Sequence, residues 1–349
     1  MNTRVLAAVL ALSLASAPLP AQTGLLVVAH GASREWNDGV RSVVGQVHWH
    51  EGPVAVAFLM GDEAASAGWD SAVASLVRGG ARAAVVVPLM ISSHGEHYWQ
   101  TEFYAGVRAA LPAALAGHDH RHHGGPPPIP MRVTAALDTA PELAEALAAR
   151  WSALPERDRG RALVLVGHGP QEEREARLWM EGFEHVGRAF TAAGLRAPYR
   201  PVLLRDDAEA PVRAAAVQAM RDTIVALAQR TGDSVVVLPA MVSSGTITRS
   251  RIPEDLAGLP VRYVPAVLAP HPAMARWVER MARVASAGFA PAGGGRGLPH
   301  PPAQLHRRRA PASAAGGAWR DDAAGGPVAP ARTSLGRPPG PRERSSGGR

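Results

Sequence analysis

The chain has 349 residues, 46% of them hydrophobic, with no Cys and no Lys. The missing Cys excludes disulfides, thiolate nucleophiles and sulfur metal ligands, and the missing Lys excludes a P-loop lysine and a Schiff-base lysine. The formal net charge is +7, but the ten Arg beyond residue 290 face only Asp321, Asp322 and Glu343, so the body is balanced and nucleic-acid binding has no support.

Residues 1–22 read as a secretory signal, with Arg4, an apolar run from Val5 to Leu14, then small residues and prolines. The run is too short to anchor the chain in a bilayer, and no later stretch is long and apolar enough to span one. Export, to a periplasm in a Gram-negative-type cell, is the expectation.

Beyond the signal, β-branched runs at 25–29, 54–59, 83–90 and 132–136 predict strands. Between and after them, 35–47, 64–78, 99–115 and 141–151 predict helices. Such alternation implies βαβ units and a parallel sheet covered on both faces. The order then repeats, with strands at 162–167, 202–204, 234–240 and 261–265 and helices at 172–193, 211–230 and 272–284.

The repetition extends to local sequence. "LLVVAHG" (25–31) answers "LVLVGHG" (163–169), and "VVVPLMISS" (85–93) answers "VVVLPAMVSS" (235–244). "VTAALDTAPEL" (133–143) answers "VPAVLAPHPAM" (264–274), with Pro141 opposite Pro272. The expected fold is α/β: two tandem flavodoxin-like halves at 23–152 and 158–288, each a mainly parallel four-stranded sheet with helices on both faces. A Pro/Gly/Arg-rich stretch at 289–349 has no apolar periodicity and reads as disordered.

Chemistry gathers at the carboxyl ends of the first half's strands, where α/β sheets bind ligands. His30 follows the first strand, and His94 and His97 follow the third. If those strands are neighbours, the imidazoles converge on one pocket. Neutral imidazole suits Co2+, Ni2+, Fe2+ and Zn2+. His168 repeats the position of His30, but Gly245, Thr246 and Thr248 stand where the first half has His94, Gly95 and His97. His118, His120, His122 and His123 form a tract that reads either as a metal reservoir or as a solvated biased loop. Ala29 and Gly167, not Arg, precede the strand-end histidines, which argues against histidine phosphatases. Hydrolase elbows and dinucleotide fingerprints are absent.

These residues resemble class II tetrapyrrole chelatases of the CbiX/SirB type, the sirohydrochlorin cobalt- or ferrochelatases, over residues 24–288. The resemblance rests on the first strand ending in His-Gly, on "VAVAFLMGDEAASAGWDSAVASLVRGGARAAVVVPLMIS", on the spaced histidine after it and on the duplication. It implies ATP-independent insertion of Co2+, Fe2+ or Ni2+ into a sirohydrochlorin-like macrocycle, with no nucleotide. The family's first-strand His maps onto His30. Its Gly-x-His maps onto Gly95-Glu96-His97 with one residue of slip, which leaves His94 as an alternative. His30, His94 and His97 are thus the expected metal ligands and catalytic groups, with Glu96 or Glu102 as proton relay. Arg34, Arg205 and His168 are expected on the substrate.

The second half lacks the paired histidine, so one site per chain is expected, and internal duplication makes a monomer sufficient. The signal and the histidine tract motivate a different reading, an exported, non-catalytic binder of metal or tetrapyrrole.

Overall fold

The computed structural model describes residues 22–115 and 125–289; the signal segment up to 21, the histidine tract 118–123 and the tail from 290 lie outside the described residues. The first half contributes strands β1 (Gln22–Ala29), β2 (Val54–Phe58), β3 (Ala81–Pro88) and β4 (Met131–Val133), all parallel, in the order β2-β1-β3-β4. The second contributes β5 (Leu163–Gly167), β6 (Tyr199–Leu203), β7 (Val235–Ala240) and β8 (Val261–Tyr263), also parallel, in the order β6-β5-β7-β8. The tandem α/β fold expected from the repeat is present.

Side chains alternate across a strand, and the apolar clusters follow that period of two. Leu25, Val27 and Ala29 of β1 share one core with Val85 and Val87 of β3, and also with Leu163, Leu165, Val236 and Leu238 of the second sheet. Leu26, Val28, Ala84 and Val86 face the opposite way, toward Trp69, Val73 and Leu76 of a helix at Trp69–Arg78. Val164, Val166, Val235 and Val237 likewise face Met220, Ile224 and Leu227 of the helix Ala210–Thr231. The two sheets are therefore joined by a single central core and flanked by separate outer ones. Each fully buried aliphatic or aromatic side chain contributes about 1.5–3 kcal/mol relative to exposure.

The central layer interlocks the halves. Four helices supply it: α1 (Arg34–Val44), α2 (Pro141–Ser152), α3 (Glu173–Ala192) and α4 (Pro272–Ser286). Pro141 and Pro272 open α2 and α4, where a missing N–H costs nothing. Although α4 ends the second repeat, it lies against β1, β3 and β4 of the first sheet. Glu142 and Glu145 of α2 pair with its Arg280 and Arg276, and the backbone N–H of His48 donates to Glu279.

Two local expectations are corrected, and one segment without an expectation gains structure. The helix read at 99–115 is α5 (Glu96–Tyr104), because Gly106 takes φ +73 and turns the chain away. β6 begins at Tyr199 and includes Pro201, which an edge strand tolerates since its missing donor faces no partner. Residues Ile247–Arg251 and Ile252–Asp255, for which no element was predicted, are helical.

Candidate functional site

The histidines after β1 and β5 are held by the same device. In each, the following glycine takes a left-handed conformation, φ +83 at Gly31 and +78 at Gly169. A Cβ on Gly31 would lie 2.3 Å from the Met60 carbonyl oxygen, so no other residue fits there. The turn brings the carbonyl of Gly31 to 2.7 Å from His30 Nδ1 and that of Gly169 to 3.0 Å from His168 Nδ1. A carbonyl only accepts, so Nδ1 carries the proton in both rings and Nε2 is the remaining lone-pair nitrogen.

β3 lies beside β1, and its loop delivers α5. His97, on the first turn of α5, places its ring edge-on to His30, with centroids 4.4 Å apart and planes at 88°. His97 Nδ1 donates to Gln100 Oε1 at 3.0 Å, one helical turn on, while Gln100 Nε2 donates to the Tyr104 hydroxyl at 2.9 Å. Tyr104 thereby holds the buried Gln100 amide, the amide holds the ring, and His97 Nε2 is left as the ligand atom. Trp36 closes another side, its ring centroid 6.3 Å from that of His30. Gly245 of the second half packs on the Trp36 ring, where a Cβ would come to 3.1 Å.

Electrostatics hold the pair neutral. Burial pushes the His30 imidazole down to about 4, helped by neighbouring His97 and, less, by His168; the bond to Gly31 and the charge of Asp207 act the other way. Burial also pushes His97 below the ordinary imidazole value, against the opposing pull of Gln100, Asp207 and Glu96. Both rings therefore sense His168 and Asp207, which places these two groups of the second half within electrostatic reach of the pair.

His94 stands apart. Its backbone N–H donates to Ser92 Oγ and its carbonyl accepts from Trp179 Nε1 at 2.6 Å. The side chain helps line a cavity of about 330 Å³ between this loop and α3, with Asp138, Trp179 and His185. Asp138 clamps the same loop by accepting from the Ser93 N–H at 2.7 Å and its hydroxyl at 2.6 Å. Of the two alternatives raised by the sequence, His97 is the one that meets His30.

The remaining candidates divide. Glu96 is part-buried on the first turn of α5. Glu102 pairs with Arg108. Arg34 is exposed at the start of α1. Arg205 is not free for a substrate: its guanidinium donates to Glu173 at 2.6 Å and to the carbonyls of Pro170 and Gln171, shaping the turn after β5. Thr248, in the place of His97, is buried and bonds the Gly245 backbone, so the second half has no second imidazole pair.

Two site residues went unnoticed in the sequence. Gln100 had a usable signal, its i,i+3 spacing from His97 on one helical face. Asp207 had only its place just past β6, where its Oδ2 lies 3.5 Å from His168 Nε2.

The CbiX family model matches residues 24–154. The fold is similar to that of SirB from Bacillus subtilis with Fe3+, with a TM-score of 0.54 and 16% identity over 77% of this chain and 97% of the other. It is also similar to the sirohydrochlorin chelatase SirB from Bacillus subtilis subspecies spizizenii in complex with cobalt, with a TM-score of 0.53 and 13% identity over 76% of this chain and 96% of that one. No curated protein matches the chain.

Proposed function

We propose that the protein, whose residues 24–154 match the CbiX family model, is a chelatase of that type and inserts a divalent metal into sirohydrochlorin or a related tetrapyrrole without ATP. Co2+ is the first choice of metal, with Fe2+ and Ni2+ as substitutes. The observation that carries this reading is the His30–His97 pair, two imidazoles held neutral with both Nδ1 atoms committed. That similar folds hold Fe3+ and cobalt supports a metal in this cleft.

The chemistry follows from the donor set. The incoming ion is the substrate, and two Nε2 ligands leave most of its positions open, so it can be passed on rather than trapped. As the ion enters the macrocycle, two pyrrole N–H protons must leave. An imidazole released from the metal becomes a base, and Glu96 beside His97 gives those protons a carboxylate route outward. No nucleotide is required, because desolvated neutral nitrogens already favour the ion over protons near neutral pH.

One site per chain, a single chain as the working form and export to a periplasm are part of the same proposal. The signal-like residues 1–22 support export, and the missing second imidazole pair supports one site. In the deciding experiment the purified chain is mixed with sirohydrochlorin and Co2+, and metallation is followed by the absorption change. Acceleration over the uncatalysed rate, abolished in His30→Ala and in His97→Ala, is expected. Stoichiometric retention of Co2+ or tetrapyrrole without turnover would instead identify a non-catalytic binder.

A further inference from the structure

The second half is not an empty copy of the first. It keeps the strand-end imidazole, His168, in the same Nδ1–carbonyl geometry as His30, and it sets a carboxylate oxygen, Asp207 Oδ2, 3.5 Å from that ring's Nε2. One ligand atom from each of His168, Asp206 and Asp207 lies within 4.8 Å of the others. These three do not share one role. Asp206 accepts from Arg213 at 2.9 Å and from Arg251, and its side chain is 3% exposed. It is neutralised and anchors the loop. Asp207 is 53% exposed, pairs with no arginine among the described residues, and has His168 Nε2 as its near neighbour.

We infer that His168 and Asp207 form a second cation site, on the side of the His30–His97 pair, that takes a hexaaquo divalent transition-metal ion from solvent before its transfer to those part-buried imidazoles. Two features point to a ligand and not to a solvated acid. His168 Nε2 and Asp207 Oδ2 are a mixed nitrogen and oxygen donor pair of the kind that binds first-row divalent ions, with Asp207 open to water. In addition, the nitrogens to which such an ion would pass, His30 Nε2 and His97 Nε2, have no hydrogen-bond partner among the described residues.

Two donors give weak, fast-exchanging binding, and the single negative charge of Asp207 draws the cation toward a pocket whose own ligands are neutral. His168 then has a reason to be a histidine that turn geometry alone does not supply. The delivery role rests on the chelatase reading; the binding itself does not.

The full chain is titrated with Co2+ alone, by calorimetry and by visible d–d absorption, as wild type, Asp207→Asn, His168→Gln and the double variant His30→Ala, His97→Ala. The 118–123 tract is common to all four proteins and cancels in the differences. Asp207→Asn and His168→Gln should each remove one Co2+ equivalent, or weaken it at least about tenfold, while the equivalent due to His30 and His97 persists. The double variant should do the reverse. Asp207→Glu, which keeps the carboxylate, should retain the equivalent and serves as the control for folding. At limiting Co2+, the apparent KM for the metal in metallation should rise about tenfold in Asp207→Asn. If either Asp207→Asn or His168→Gln keeps wild-type Co2+ stoichiometry and affinity, the site is overturned. A wild-type chain that binds two equivalents yet metallates nothing would sink the chelatase reading and leave the site standing.

Discussion

The rings of His30 and His97 meet edge to face, 4.4 Å apart between centroids, so a proton on one raises the cost of a proton on the other. This makes the native protein acid-sensitive in a defined direction. His30 has a folded value of about 4 against an ordinary value of 6.5, so the folded state binds fewer protons than the unfolded one across that interval. Stability is fully present above about pH 6.5 and declines as pH falls toward about 4, with His97 acting in the same sense. Between pH 7 and pH 5, urea unfolding should show wild type losing about 2 kcal/mol more than His30→Gln. Parallel pH slopes for the two proteins would show that the burial of His30 has no such energetic effect.

Gln100 acts on the site through His97. Gln100→Leu removes the acceptor of the His97 Nδ1 proton and frees the ring to change tautomer, so Co2+ affinity should fall about 10–100-fold. Gln100→Glu places a charge at the same point and should shift the acid limb of metal binding to higher pH. Unaltered affinity in the first variant together with an unmoved limb in the second would reduce Gln100 to packing.

Gly167 is the one place where the strand ends of the two halves differ for a visible steric reason. The first half has Ala29 there, but in the second a Cβ would come within 2.3 Å of the Phe183 ring. Gly167→Ala should therefore cost about 1–3 kcal/mol by overpacking. Combining it with Phe183→Leu should give a smaller loss than the sum of the two single changes. Chemical denaturation of the four proteins of this cycle decides it, and strict additivity would refute the clash.

Trp277 is fully buried on α4, the helix of the second repeat that covers the first sheet. Trp277→Ala should cost about 3–5 kcal/mol. Amide exchange locates the effect: protection should fall in β1 and β3, far away in sequence. A loss confined to β5 and β7 would mean that α4 stabilises its own repeat instead.

The repeated strands were legible because each carries an uninterrupted apolar run such as "LLVVA" or "VVVLPA", which only a doubly covered sheet can bury. The convergence of His30 with the loop after β3 followed from strand order, a property of the fold class. Which histidine arrives was not readable. His94 and His97 are three residues apart, and only the helix start at Glu96 with the tether to Gln100 orients one of them to His30. The end of α5 was misread because Val107, Ala109, Ala110 and Leu111 continue an apolar pattern, while a single glycine at 106 stops the helix. Asp207 was lost among solvated acids, since its meaning depends on a histidine 39 positions earlier that the topology of the second sheet brings beside it.

The crossing of α4 has a consequence for synthesis. When the ribosome has made only the first repeat, α1 and α2 are present but α4, which completes the layer over β1 and β3, has not yet been translated. Part of the hydrophobic face of that sheet therefore stays uncovered until residue 286 has emerged. The core of the first repeat is thus completed only when the second repeat has been made.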